Sequence, residues 1–214
     1  MIFLGLLRHG EVVGGPRFRG CTDDSLTKAG WEQMHIATQG PCHWDLVMSS
    51  PLRRCVNFAR EYAFAHRLPL EIEEDLQEIN FGDWEGLTAE AIMQCSATAL
   101  GDFWRDPMNH PPPGGETLGE FHARVVSAWQ RLNGRHTGKR VLLVTHGGVI
   151  RVLLCHLQQR PLNTIMEIEV APAALFGLML VHDRIEQLFT SGRLIQRWLG
   201  EPTQDSLFPT LTTS

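Results

Sequence analysis

The sequence predicts an α/β fold in three layers, a mostly parallel central sheet flanked by helices. Ile2-Phe3-Leu4-Gly5-Leu6-Leu7 and Val141-Leu142-Leu143-Val144 are nearly continuous apolar runs, the length of strands buried on both faces. Both runs end abruptly in a polar residue, a histidine and glycine: Arg8-His9-Gly10 and Thr145-His146-Gly147-Gly148. Helical stretches alternate with such runs along the chain, as in a sheet joined by crossover helices. Open sheets of this kind keep their ligand crevice at the carboxyl ends of the strands. The two histidine-ending strands should therefore lie close together and deliver their side chains to one edge.

After the first strand, residues 11–26 are rich in Gly, Pro, Thr and Asp, lack periodicity, and read as a long loop over that edge. Loops of this length in a compact domain are usually functional or disordered. Thr27 is a good N-cap for a helix carrying Ala29, Met34, Ile36 and Ala37 toward Gly40, with Pro41 helping to stop it. Asp45–Met48 reads as a short buried strand. Ser49-Ser50-Pro51 then opens a helix, with Ser50 as cap and Pro51 in the first turn, that runs to about His66. Leu70–Glu73 alternates like an edge strand, Leu76–Gly86 is irregular, and Thr88 to Leu100 forms another helix.

Residues 101–115 are interrupted by prolines and glycines and read as a loop or lid. The clearest helix follows, with Leu118, Phe121, Val125, Trp129 and Leu132 on one face. Arg140 to Thr145 is the second histidine-ending strand and Val149–Leu157 the next helix. Further strands are expected at 165–170, 174–182 and Leu194–Leu199. Residues 1–200 read as one domain, and 201–214 as a polar, frayed tail.

Composition narrows the function classes. A chain of 214 residues with 43% hydrophobic content can build one sizeable core. Its net charge of -5 argues against nucleic acid, whose phosphates attract strongly basic faces. No apolar run approaches the roughly 18 residues of a membrane span, and no basic segment or small-residue cleavage site marks an export signal. Cys21, Cys42, Cys55, Cys95 and Cys155 are odd in number and never in a Cys-x-x-Cys pair. They suggest neither a disulfide framework nor a zinc site, and a reducing cytoplasm is the compartment expected.

Two cations join the paired histidines. Arg8 precedes His9, and Arg54 sits in the first turns of its helix, where free backbone N–H groups also favour an anion. The planar, bidentate guanidinium suits a tetrahedral phosphoryl group better than a lone carboxylate. An attacking imidazole must be neutral, and adjacent arginines disfavour its protonation.

In order along the chain, Arg8-His9-Gly10-Glu11, Ser49-Ser50-Pro51-Leu52-Arg53-Arg54, Leu76-Gln77-Glu78-Ile79-Asn80-Phe81-Gly82-Asp83-Trp84-Glu85-Gly86 and Thr145-His146-Gly147-Gly148 resemble the signatures of the histidine phosphatase superfamily. That group contains cofactor-dependent phosphoglycerate mutases and many small phosphatases. Arg-His-Gly alone is weak, but four ordered motifs across about 140 residues are specific. The resemblance implies a phosphoglycerate mutase-like fold with His9 as the nucleophile that becomes phosphohistidine. It implies that Arg8, Arg54 and His146 hold the non-bridging phosphoryl oxygens and that Glu78 donates the proton. Arg19, Gly20 and Gly147 are further expected substrate contacts. It implies no cofactor and no metal, and the sequence offers no Asp cluster or His-x-x-x-His pair for one.

The chemistry accounts for these residue types. The leaving alkoxide needs a proton from a carboxyl group, and the same carboxylate can then activate water. Two easier displacements replace one difficult one, with fixed positive charge on the transferring group supplying most of the acceleration.

Plainer readings stand beside these. A histidine at a strand end is often structural, and His35, His43, His66, His110, His122, His136, His156 and His182 are expected at the surface or in packing. Glu85 rivals Glu78 as a carboxylate but is expected to be structural. Glu11 either faces the pocket or does not; Glu116 either faces it or suits a helix first turn, where negative charge is stabilising. Trp104 and Pro111-Pro112-Pro113 either touch substrate from the lid or pack a surface loop, and Arg151 reads as a sheet-facing helix residue.

The leading expectation is a metal-independent phosphomonoesterase acting on a small phosphorylated metabolite, as a monomer or homodimer. The compact length, the loop Arg19–Thr27 and Phe81–Gly86 look most like α-ribazole phosphatase-type bacterial enzymes, which remove a 5'-phosphate during assembly of the cobalamin nucleotide loop. One alternative is a phosphoglycerate mutase, disfavoured by a short, cation-poor interval between Glu78 and His146. The other is a catalytically silent phospho-ligand or protein-binding module, whose expected sign is loss of His9 or Glu78.

Overall fold

The computed structural model describes residues 1–39, 44–181 and 184–190. Strand β1 (Ile2–Arg8) lies inside a six-stranded sheet, parallel to β4 (Arg140–Thr145) on one side and antiparallel to β5 (Leu175–Val181) on the other. Beyond β4 come β2 (Leu46–Ser49) and the edge strand β3 (Leu70–Ile72), both parallel. Beyond β5 lies β6 (Arg184–Thr190), antiparallel to it. The sheet is therefore mixed: parallel through the four strands that include both histidine-ending ones, antiparallel at the other edge.

Strand alternation divides the core into two layers. Leu4, Leu6, Met48, Val141 and Leu143 face α5 (Leu118–Arg135) and α6 (Gly147–Leu157), where Phe121, Trp129 and Leu153 cover them. Leu7, Val47, Leu142 and Val144 face the opposite layer, built from α1 (Lys28–Ala37) and α2 (Arg53–His66) with Met34, Cys55 and Phe58. Burial on both faces is why these strands read as unbroken apolar runs. Gly5 is the exception in composition, and packing explains it. A Cβ there would stand 2.4 Å from the indole tip of Trp44, which is buried against the strand.

Several boundaries differ from the sequence expectation. Helix α2 starts at Arg53 and its N-cap, Leu52, offers no side-chain bond. Ser50 is not the cap; its hydroxyl lies 2.7 Å from His146 Nε2, and Asp23 Oδ1 from the first loop accepts from Arg53 N–H at 2.6 Å. The segment read as one helix to Leu100 is two, α3 (Ala89–Cys95), capped by Thr88, and α4 (Ala99–Arg105). Helix α4 enters the expected lid because Leu100 and Phe103 bury against Trp84, and packing overrides Gly101.

Residues 165–170 are not a strand. Leu162–Glu167 is a 3-10 turn, and the carbonyls of Ile168 and Val170 accept from Arg151 and Arg8 rather than from a neighbouring strand. Helix α6 begins at Gly147, two residues earlier than expected. The proposed stop at Gly40-Pro41, the strand Leu194–Leu199 and the tail 201–214 lie outside the described residues. Among the described residues no helix is long and apolar enough to cross a membrane, and the described cysteines Cys21, Cys55, Cys95 and Cys155 are free thiols.

The contact at Gly5 yields a stability prediction. Gly5→Ala should lower the unfolding free energy by about 1–3 kcal/mol, the usual cost of overpacking a closed interior, seen as a lower urea midpoint. An unchanged midpoint would show that Trp44 can move aside.

Candidate active site

The parallel register pairs Arg8 with Thr145, so His9 and His146 follow side by side at the carboxyl edge of the sheet. Their ring centroids are 5.3 Å apart. His9 N–H donates to Thr145 O at 2.9 Å, and its own carbonyl accepts from Ala173 N–H, which fixes the backbone. The His9 Nδ1 atom lies 2.8 Å from Gly10 O. A carbonyl only accepts, so Nδ1 carries the proton and Nε2 keeps its lone pair. Burial, then the charge of Arg54, push the His9 pKa down to about 3; the Gly10 bond opposes them and Arg8 adds to them.

His146 is fully buried and its tautomer also follows from its partners. Arg54 Nε lies 3.2 Å from His146 Nδ1, and a guanidinium can only donate. Nδ1 is therefore the acceptor, and Nε2 donates to Ser50 Oγ. Burial first, then Arg54, His9 and Arg8, hold His146 well below the ordinary histidine range. Cys55 Sγ stands 3.7 Å from both ring nitrogens, with its thiol pushed up by burial.

The arginines differ in what they hold. Arg54, without exposed surface, also donates to Thr22 O at 2.7 Å and Gly20 O at 2.9 Å, tying the first loop to the sheet edge. Arg8 donates through Nη1 to Val170 O, while its buried Nε has no hydrogen-bond partner. That Nε lies 3.4 Å from where a Cβ on Gly147 would stand, and Arg151 Nη1 lies 3.2 Å from the same point. Arg151 is thus at the site rather than merely beneath the sheet. Arg19 is engaged within its own loop, donating to Asp24, Gly15 O and Val13 O.

Glu78 joins the site at the start of α6. Its Oε2 accepts from Gly148 N–H at 2.9 Å, at the start of α6, where a negative group is favourable. Only glycine permits this: a Cβ on residue 148 would stand 2.2 Å from Glu78 Oε1. Arg124 of α5 holds the segment by donating to the carbonyls of Asp75, Gln77 and Glu78. Glu116 precedes the α5 cap, Thr117, and pairs with Arg124 at 2.7 Å instead of occupying the helix's first turn. Glu11 is turned to Thr27 at the cap of α1.

Glu85 gathers N–H groups of Gly20, Cys21, Thr22 and Phe81 and the Thr22 hydroxyl. Burial works to raise its pKa, but the donors, Thr22 first, outweigh it and keep the carboxyl below the usual range. Ser50, Cys55, Gly148, Arg124 and Arg151 are the site neighbours that sequence reasoning did not assign. Gly148, the second glycine of Thr-His-Gly-Gly, and Ser50, within Ser-Ser-Pro, carried a local signal. Among the described residues, no group of three or more His, Cys, Asp and Glu is placed to hold a metal ion.

Residues 4–189 match the family model of the histidine phosphatase superfamily (branch 1). The chain is 30% identical over 161 residues to phosphoserine phosphatase 1 of Hydrogenobacter thermophilus, covering 73% of this chain and 76% of that protein. It is 31% identical over 172 residues to the adenosylcobalamin/alpha-ribazole phosphatase of Escherichia coli, covering 78% and 84%. The crystal structure of the alpha-ribazole phosphatase from Shigella flexneri superposes with a TM-score of 0.79 at 27% identity, over 88% of this chain and 96% of that one.

The buried neutral histidines predict a pH dependence of stability. Both pKa values are depressed on folding, so as pH falls below the ordinary 6.5 the unfolded chain takes up protons first. Stability is complete above that value and is lost toward pH 3, at about 1.4 kcal/mol per pH unit for each unmatched proton. His9→Asn removes one such site. Between pH 7 and pH 5 it should lose ~2 kcal/mol less unfolding free energy than the wild type in urea titrations. Identical losses would mean that His9 is not held neutral.

Proposed function

This chain belongs to the histidine phosphatase superfamily and is a phosphoric monoester hydrolase, and from that premise we propose that it works by two displacements through His9. His9 Nε2 attacks phosphorus, a phosphorus–nitrogen bond forms, and the bond to the alcohol oxygen breaks. The Glu78 carboxyl gives its proton to the departing alkoxide. The resulting carboxylate takes a proton from water as the water oxygen attacks the phosphohistidine, which releases phosphate and restores neutral His9.

The observation that carries this reading is the fixed tautomer of His9. Its lone-pair nitrogen is kept unprotonated by burial and arginine charge, and the neighbouring residue, Arg8, has a buried Nε with no protein acceptor. Arg8 and Arg54 supply the fixed positive charge that phosphoryl transfer requires. His146 has no spare N–H in this arrangement, since Nδ1 accepts from Arg54 and Nε2 faces Ser50. Its role in the proposal is to hold the plane of Arg54 and, when the phosphoryl group arrives, to yield the Nε2 proton from Ser50 to an oxygen. Arg19 and Gly20 act by shaping the loop that Arg54 fastens, and Gly147 by leaving room for Arg151 Nη1, 3.2 Å from where a Cβ would stand.

The substrate proposed is a small phosphorylated metabolite, with α-ribazole 5'-phosphate as the specific candidate. Its support is the likeness of the first loop and of Phe81–Gly86 to α-ribazole phosphatase-type enzymes, together with the identity to the Escherichia coli protein.

In EDTA the wild type should hydrolyse p-nitrophenyl phosphate and yield an acid-labile, base-stable phosphoprotein on rapid quench. His9→Ala should lose the label and at least about a thousandfold in kcat; retention of the rate would rule out the covalent route. Gly148→Ala should displace the Glu78 carboxylate and lower kcat by about 10–100-fold while the phosphohistidine still forms with an activated aryl ester. Full activity in this variant would remove Glu78 from the proton-transfer role.

A further inference from the structure

We infer that the leaving-group side of this site is an aromatic-walled subsite that selects phosphomonoesters whose alcohol carries an uncharged, flat apolar group, and that it disfavours alcohols bearing a carboxylate. The inference rests on the phosphomonoesterase reading above. Glu78 and Gly148, joined by a hydrogen bond, and Arg151 are part of the lining of a cleft of about 210 Å³. The rest of its lining, from five separate segments, is apolar, and includes Phe18 and Phe81, Phe103 and Trp104, and Ile165 with Met166. An apolar cavity of roughly 150 Å³ holds benzene, so a group of one or two rings fits.

The wall is formed in advance. Phe18 meets Phe81 edge to face at 5.1 Å between centroids, and Trp84 braces Phe103 at 5.4 Å from behind. Such rings need little reordering on binding. Trp104 is 51% exposed and Met166 37%, large apolar side chains held open at the mouth of the cleft. Exposed apolar surface gathered around a concave site marks a binding surface rather than chance.

Charge sharpens the class. The two charged side chains lining the cleft are Glu78 and Arg151. Arg151 is tied there by Nε to Ile168 O, with Nη1 beside Gly147 and Arg8, where the phosphoryl group belongs. A leaving group passing Glu78 therefore meets rings and no further cation. A second negative charge there would lose its hydration without a partner, beside a carboxylate.

The test uses alkylphosphonates to read binding without turnover, and naphthylethyl and ethyl phosphates as primary-alkyl esters of closely similar leaving-group basicity; serine is the better leaving group, so a lower rate on phosphoserine could not come from the leaving group. Calorimetry on the wild type should show 2-(1-naphthyl)ethylphosphonate binding at least about thirtyfold more tightly than ethylphosphonate. In turnover, kcat/KM should rank 2-(1-naphthyl)ethyl phosphate above ethyl phosphate and ethyl phosphate above phosphoserine. Trp104→Ala should reduce the naphthylethyl-to-ethyl ratio by about fivefold to tenfold, the worth of one aromatic pair. Equal binding of the two phosphonates, a ratio unmoved by Trp104→Ala, or a preference for phosphoserine would overturn the subsite. Phosphohistidine labelling separates the two readings: label without aromatic preference sinks the subsite alone, and aromatic phosphonate binding without label sinks the covalent mechanism alone.

Discussion

A guanidinium buried without exposed surface is tenable only when its donors meet fixed acceptors, and Arg54 finds them in two other parts of the chain. Its nitrogens reach His146 at the end of β4 and the carbonyls of Gly20 and Thr22 in the first loop. The loop, the sheet edge and the start of α2 are therefore held in one arrangement by a single charge. That charge also helps to keep both histidines neutral. The feature that would be costly in an ordinary core here helps to hold two imidazoles neutral.

The sheet supplies the frame on which this charge acts. Parallel pairing of β1 with β4 brings two strand ends to the same level, and α6 starts directly after His146 at that edge, its Gly148 N–H donating to Glu78. The antiparallel half contributes differently. The chain approaching β5 runs extended past Val170, whose carbonyl, with that of Ile168, holds Arg8 and Arg151 in place. Carbonyls that a strand would have given to the sheet are given to the arginines.

The parts legible in the sequence were those in which local pattern and destination coincide. The apolar runs of β1 and β4, the face of α5 and the ordered motifs around His9, Arg54, Glu78 and His146 all announce themselves because periodicity or spacing is the signal. Ser50 misled because serine before a proline and a helix has the composition of a cap, while its partner, His146, is remote in sequence. Residues 165–170 alternate as a strand would, yet Ile165, Ile168 and Val170 bury against the core without a strand partner. Glu116 suited a helix start until Arg124, two turns on, claimed it. In each case the competing choice was made by a tertiary contact that local composition does not encode.

Glu85, outside the chemistry, joins the two halves of the site. One of its oxygens serves Gly20, Cys21 and Phe81 together, and the other serves Thr22. The loop that Arg54 fastens and the turn that carries Phe81 into the aromatic wall therefore share one anchor. Any displacement of the loop on the anion side is felt by the wall, and the reverse holds with equal free energy, since linkage is reciprocal. On the proposed function, grip on the phosphoryl group and choice of alcohol would be coupled variables, and a chain drifting toward a new substrate would retune both together.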